Sequence, residues 1–274
     1  MSTATLAHPP SDSPPGVRVE LQAVRRVYAE GPGGSPRVAV ERFDATFEAG
    51  DFVALVGPSG CGKSTLLRLI AGLDAPSAGT VRVGNEGARH PGSIGYVFQD
   101  ATLMPWRTIA DNVALPLEIA GVPRGERRAA AEAALESVGL AGEGRVFPSQ
   151  LSGGMRMRAS IARALVAKPR LLLMDEPFAA VDEITRHGLD QQLRELWERS
   201  PLTLVFVTHS VAEAVYLARR VVVLSARPAR LVEDWVMDLP ARREAALRSD
   251  ARYAELVGRV QAALSRGSVA GARS

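Results

Sequence analysis

The chain has a single cysteine, Cys61, which permits no internal disulfide and agrees with a reducing compartment. Long apolar runs are missing too. Those present, such as residues 171–174 and 221–224, are strand-sized, against the ~20 residues that cross a bilayer, so no membrane-spanning segment is expected. Residues 1–16 are rich in Ser, Thr and Pro and have no apolar stretch after a basic start. They read as a disordered tail of a cytoplasmic protein rather than as a signal peptide. Concentrated charge is also lacking: the net charge is +3 and the basic residues are scattered, which argues against a dedicated nucleic-acid face. Lysine is scarce, since of 33 basic residues only Lys63 and Lys168 are not arginine. A motif that demands lysine seldom arises by accident in such a chain.

What is present suits a folded α/β protein. The 274 residues are 46% hydrophobic and 23% charged, enough for one large domain with an insertion. Residues 17–28 and 37–48 alternate as strands around a turn-rich stretch at 31–36, which predicts a β-rich opening. Residues 52–56 form an apolar run ending at a glycine, followed by a loop and by Leu66, Leu67, Leu69 and Ile70 at helical spacing. Further strands are expected at 81–83 and 94–98. Between about 100 and 165 helical periodicity takes over, predicting a helical insertion. Strand-like runs at 171–174, 202–207 and 221–224 then alternate with helix, as at 210–218, an order that implies a mainly parallel sheet covered by helices. A final amphipathic stretch, 248–264, carries Tyr253, Leu256, Val257, Val260 and Leu264 on one face. The main domain is expected over 17–236, with a helical extension and tail over 237–274.

Gly57-Pro58-Ser59-Gly60-Cys61-Gly62-Lys63-Ser64-Thr65 fits GxxxxGK[ST] directly after a predicted strand and before a predicted helix. Glycines let the backbone curl so that several N–H groups face one phosphate chain, and the helix N-terminus adds partial positive charge. Lys63 is expected to bridge the β- and γ-phosphates, the Ser64 hydroxyl to ligate Mg²⁺, and Thr65 to add a phosphate contact. The apolar run 171–174 ends in Asp175-Glu176-Pro177, and strand C-termini line the ligand crevice of a parallel sheet. Asp175 is then placed to hold Mg²⁺, and Glu176 to orient or deprotonate the attacking water. Two adjacent carboxylates at a buried strand end would repel unless a cation lay nearby, so the pair itself predicts a metal. His209 follows another apolar strand on the same rim, where it is either a γ-phosphate contact or an ordinary surface histidine.

Leu151-Ser152-Gly153-Gly154-Met155 opens the last helix of the insertion, and here the sequence resembles the ATP-binding cassette (ABC) family. Ser152, Gly153 and Gly154 match its signature motif, an anion-binding helix N-terminus. The resemblance implies a P-loop NTPase core with a mainly parallel sheet, an N-terminal antiparallel β subdomain and a helical insertion. It also implies that the signature meets ATP bound to a second copy, so that a homodimer sandwiches two ATP molecules head to tail. On the same resemblance Tyr28 stacks on adenine, Gln99 reaches Mg²⁺ and the water, Asp182 lies in the loop that communicates between the two ATP sites, and His209 is the switch histidine.

The stretch from Leu103-Met104-Pro105-Trp106-Arg107 to Val113, with 215–228 ending in Ser225-Ala226-Arg227-Pro228, looks like the nitrate/sulfonate/taurine group of bacterial importers. This implies an ATPase docked on membrane permease subunits at the cytoplasmic face of the inner membrane, served by a solute-binding protein, with ATP and Mg²⁺ as cofactors and no nucleic acid. Trp106 is then either a permease contact or a residue that packs the insertion onto the core. Met157, Ser210 and Phe147-Pro148-Ser149 depart from the group's usual residues. The rival readings are a soluble ABC ATPase acting on nucleic acid or ribosomes, and a scaffold subunit that binds ATP without turnover.

Overall fold

The structure, a computed structural model, describes residues 16–29, 35–84, 93–179, 181–200 and 202–271, with side chains up to residue 268. The expected tail lies outside them except for Gly16, as do positions 31–34 of the expected turn.

Two sheets form the framework. Strands β1 (Val19–Tyr28), β2 (Arg37–Phe47) and β4 (Ala78–Val83) make an antiparallel sheet in the order β2-β1-β4. The larger sheet has the order β5-β6-β7-β3-β8-β9, from β3 (Phe52–Val56), β5 (Ile94–Val97), β6 (Leu171–Asp175), β7 (Thr203–Thr208), β8 (Arg220–Leu224) and β9 (Leu231–Val236). All its pairings are parallel except β8 with β9. The central strands read as unbroken apolar runs because both faces are covered. Their two-residue period divides them between two cores. Val53, Leu55, Leu171, Leu173, Val205, Val207, Val222 and Leu224 face the antiparallel sheet and α1 (Lys63–Ala71). Phe52, Ala54, Val56, Leu172, Met174, Leu204, Phe206, Val221 and Val223 face the remaining helices.

The helical insertion comprises α2 (Ile109–Ile119), α3 (Arg124–Ser137) and α4 (Gly153–Leu165). In the first turn of α2, Asn112 is fully buried; its side chain accepts from the Met104 amide at 2.7 Å and donates to the carbonyls of Met104, Arg107 and Thr108. One amide thus satisfies and fixes the whole 104–108 loop. After β6, α5 (Glu183–Arg199) and α6 (Val211–Leu217) lead into β8, and α7 (Ala251–Gly271) closes the chain.

Two expectations need correction. The final helix was read as 248–264, but it starts at Ala251, because Asp250 caps it by accepting from the amides of Arg252 and Tyr253, and it runs on to Gly271. Val257 and Leu264, expected on its buried face, are only half-buried, while Tyr253, Leu256, Val260 and Ala263 are buried. Strand β9 was not anticipated at all.

Candidate active site

The phosphate loop leaves β3 and curls back on itself at Gly60 (φ 71°) and Gly62 (φ 126°), left-handed geometry that glycine adopts freely. Gly62 is constrained twice, since a Cβ there would lie 2.6 Å from the Ala39 carbonyl oxygen of β2. Lys63, 4% exposed, donates through Nζ to the carbonyls of Gly57 (2.9 Å) and Pro58 (3.0 Å), and lies 3.6 Å from Glu176 Oε1. Cys61 turns its thiol into the core, and burial raises its pKa, so this side chain is an inert packing group.

Asp175 ends β6 within reach of α1. Its carboxylate accepts from the Ser64 hydroxyl at 2.9 Å and from the Tyr96 hydroxyl of β5 at 3.5 Å. Burial raises its pKa, while the Ser64 hydrogen bond opposes the shift. Burial also raises the pKa of the Tyr96 hydroxyl, and the Asp175 charge adds to that shift. Tyr96 was not anticipated from sequence, although it stands three residues before Gln99. At Glu176 the chain turns sharply: φ is +46°, uncommon for a residue with a Cβ. Its amide bonds the Val207 carbonyl at 3.0 Å. The turn separates the adjacent carboxylates, so that Asp175 faces Ser64 while Glu176 faces Lys63 and His209. Lys63 places a cation 3.6 Å from Glu176.

His209 follows β7 with its side chain 52% exposed and Nδ1 3.5 Å from Glu176 Oε2. The buried Thr208 hydroxyl donates to Glu213 and accepts from the Ser210 amide at 3.0 Å, which fixes the turn that presents His209. A cavity of about 10 Å³, large enough for a single water, lies among Glu176, Phe178, Thr208, His209 and Glu213. Lys63, Ser64, Asp175, Glu176 and His209 thus meet at the C-terminal edge of the parallel strands.

Other expected residues stand elsewhere. Gln99 is exposed just past β5 and makes no hydrogen bond to another described residue. The Tyr28 hydroxyl donates to Asp74 Oδ2 at 2.8 Å, and the Arg26 guanidinium lies over the ring at 4.5 Å. Ser152 caps α4 by accepting from the Met155 amide, and Asp182 caps α5 by accepting from the Thr185 amide, which holds its carboxyl below the usual range. Both caps are exposed. They are neighbours: a Cβ at Gly154 would lie 3.3 Å from Thr185 Cγ2. Among the described residues no hydrogen bond or ion pair joins Ser152–Gly154 to the phosphate loop. Met157 is buried, and Ser210 caps α6 by accepting from the Glu213 amide at 3.3 Å.

Behind His209 lies a buried carboxyl pair that sequence reading missed. Glu213 of α6 faces Asp190 of α5, which is paired with Arg248 at 2.6 Å. Burial, then the Asp190 charge, pushes Glu213 from 4.5 up to about 8, opposed by the Thr208 hydrogen bond and then by Arg186. The folded chain therefore holds a proton there that the unfolded chain releases above 4.5, so Glu213's contribution to stability is full at low pH and is lost as pH rises towards about 8. The thermal midpoint of the chain is expected to fall by on the order of 5 °C between pH 6 and 8.5, and Glu213→Gln to flatten that slope. A slope unchanged by the substitution would remove Glu213 as its source.

Comparison with known proteins gives the same account of the chain as the site. The family model described as ABC transporter matches residues 40–179. A nitrate import ATP-binding protein of Synechocystis sp. is 42% identical over 229 residues, 83% of this chain and 85% of that protein. A taurine import ATP-binding protein of Escherichia coli is 43% identical over 211 residues, 77% of this chain and 82% of that one. Among solved structures, a dimeric bacterial ABC transporter cassette superposes with a TM-score of 0.71 at 31% identity, covering 81% of this chain and 100% of its own.

Proposed function

Since the chain belongs to the ABC transporter family and is an ATPase of the cassette type, we propose that it powers import of a small nutrient through a separate membrane permease. The observation that carries this reading is the meeting of Lys63, Ser64, Asp175, Glu176 and His209 at one sheet edge. Similarity to proteins named for nitrate and taurine import favours a permease as partner over nucleic acid or ribosomes. Among the described residues no helix is long and apolar enough to cross a membrane, so membrane association falls to permease subunits at the cytoplasmic face, themselves served by a solute-binding protein.

The chemistry is positioning and charge stabilisation. The amides of residues 57–65 and the Lys63 ammonium hold the phosphate chain of ATP, and the Tyr28 ring stacks on the base. Ser64 and Asp175, already 2.9 Å apart, are hard oxygen donors of the kind Mg²⁺ takes while retaining waters and phosphate oxygens. With Gln99 they would hold that ion, whose charge would offset the charge on the phosphates. Glu176 orients and deprotonates the attacking water, and His209, held by the Thr208 turn, contacts the γ-phosphate. Ser152, Gly153 and Gly154 serve the ATP of a second copy, in keeping with the exposure of Ser152 and Gly153 and with the lack, among the described residues, of any hydrogen bond or ion pair from the three to this chain's own phosphate loop. Asp182, beside them, links the two sites. Phosphate release by the purified chain, dependent on ATP and Mg²⁺, tests the reading; a chain without turnover, alone and with its permease, would refute it.

Trp106 is 74% exposed on the loop that Asn112 fixes, with the Arg107–Glu118 ion pair (2.8 Å) beside it. This removes the reading of Trp106 as a packing residue. A rigid loop presenting an exposed indole is a ready protein contact, and we assign it to the permease. Trp106→Ala is expected to leave the ATPase rate of the isolated chain within about twofold while weakening permease association at least tenfold, as loss of an interface anchor does. Undiminished co-purification with the permease would place the docking contact elsewhere.

A further inference from the structure

Following β8, residues 225–229 pass over the phosphate loop, and Arg227 reaches down to it. Its Nε and Nη2 both donate to the Gly60 carbonyl, at 3.3 and 3.2 Å. Three other carbonyls of the turn are satisfied from within the loop and the start of α1. Gly57 O and Pro58 O take Lys63 Nζ, Pro58 O also takes the Cys61 amide at 3.2 Å, and Gly62 O takes the Leu66 amide at 3.0 Å. Gly60 O alone among these is bonded by a side chain from another element. Curling the amides of this loop inward turns its carbonyls outward, and the Gly60 carbonyl is met there by a cation.

Arg227 is exposed, but the backbone that carries it is stitched on both sides. The Ser225 hydroxyl donates to the carbonyls of Ala226 and Pro228 and accepts from the Arg230 amide at 3.0 Å. Towards β2, the Ala229 amide bonds Ala39 O at 3.0 Å and the Glu41 amide bonds Ala229 O at 3.0 Å. Towards the C-terminal helix, the Ala226 amide bonds Gly267 O of α7 at 3.2 Å. That approach needs glycine, because a Cβ at 267 would lie 2.9 Å from Val232 Cγ2 and 3.3 Å from Ser225 Cα. The segment also walls the loop, since a Cβ at Gly62 would meet Ala229 Cβ at 3.0 Å as well as Ala39 O.

We propose that Arg227 is a positioning residue for the phosphate loop, holding the Gly60 peptide in its phosphate-ready curl, and that α7 braces it through the Gly267–Ala226 contact. The inference rests on the ATPase reading above and assigns work to the C-terminal helix and to the Ser225–Pro228 segment, which the hydrolysis chemistry does not use. Because Arg227 acts on where the phosphate chain sits and touches neither Glu176 nor His209, its loss should act on ATP affinity and leave the chemical step alone.

The test uses the full chain, with a fluorescent ATP analogue for binding and phosphate release for turnover. Arg227→Ala is expected to raise Kd and KM for ATP about fivefold, the scale of one partly exposed charged hydrogen bond, with kcat within twofold and the thermal midpoint unchanged. Arg227→Lys, which keeps one charged donor, should recover part of the loss. Gly267→Ala, which forces α7 and the 225–228 segment apart, should raise KM in the same direction with Arg227 intact. Unchanged KM in Arg227→Ala would overturn the proposal, and so would a fall in kcat at constant KM. Absence of turnover in the unsubstituted chain would instead count against the ATPase reading, and the binding arm would still test Arg227.

Discussion

Glu176→Gln is expected to bind ATP about as tightly as the unsubstituted chain while its turnover falls by about 100- to 10,000-fold, the range for loss of a positioned general base. The side chain lies between Lys63 Nζ at 3.6 Å and His209 Nδ1 at 3.5 Å, 20% exposed. Glutamine keeps its length and leaves intact the bonds from Lys63 Nζ to Gly57 O and Pro58 O, so the phosphate loop stays formed. What disappears is the charge that takes up a proton from water. Equilibrium binding of ATP alongside single-turnover phosphate release separates the two effects. Turnover within a few-fold of the unsubstituted chain would take Glu176 out of the central role.

Lys63→Ala should fail at the earlier step, with ATP affinity reduced by about 100-fold or more. Loss of a charged hydrogen-bond donor to phosphate, in a site shielded from solvent, is worth roughly 3 kcal/mol, and each 1.4 kcal/mol is tenfold. The substitution also strips Glu176 of its nearest cation and leaves the Gly57 and Pro58 carbonyls without their shared donor. Arginine should not restore binding, since a planar guanidinium cannot occupy the place of a compact ammonium that is 4% exposed. Calorimetric titration with ATP measures the loss; affinity within threefold of the unsubstituted chain would contradict the assignment of Lys63 to the phosphates.

The parts of the fold that were legible in sequence are those whose environment is uniform along the chain. Residues 52–56, 171–174 and 221–224 are covered on both faces, and unbroken apolar runs announce them. Strand β9 escaped because Leu-Val-Glu-Asp-Trp-Val lies at a sheet edge, half-buried and charged, with pairing supplied by β8 alone. The start of α7 was misplaced because Arg248 has helix-forming character but is held in a preceding turn by Asp190, a partner far away in sequence.

The site divides along the same line. Lys63, Ser64, Asp175 and Glu176 announce themselves in short local patterns, His209 was assigned only through family resemblance, and the structure brings the five together. Tyr96, the Glu213–Asp190 pair and Arg227 matter only through neighbours brought in by β5–β6 pairing, the α5–α6 packing and the return of the chain after β8. No local spacing could have signalled them. Gln99 and Tyr28 were read from family resemblance, and neither makes a hydrogen bond or ion pair to the five clustered residues, in keeping with roles that require the nucleotide itself.

The exposed Ser152 and Asp182 are the residues to probe, because beyond capping α4 and α5 neither makes, among the described residues, a hydrogen bond or ion pair to this chain's own phosphate loop. Sedimentation equilibrium of Glu176→Gln, with and without ATP, puts their role to the test. The account predicts a chain of 29.2 kDa without nucleotide and twice that mass with ATP, the doubling being abolished when Ser152→Arg is added to block the signature. A single-chain mass at saturating ATP, or a dimer indifferent to Ser152→Arg, would contradict the shared ATP sandwich.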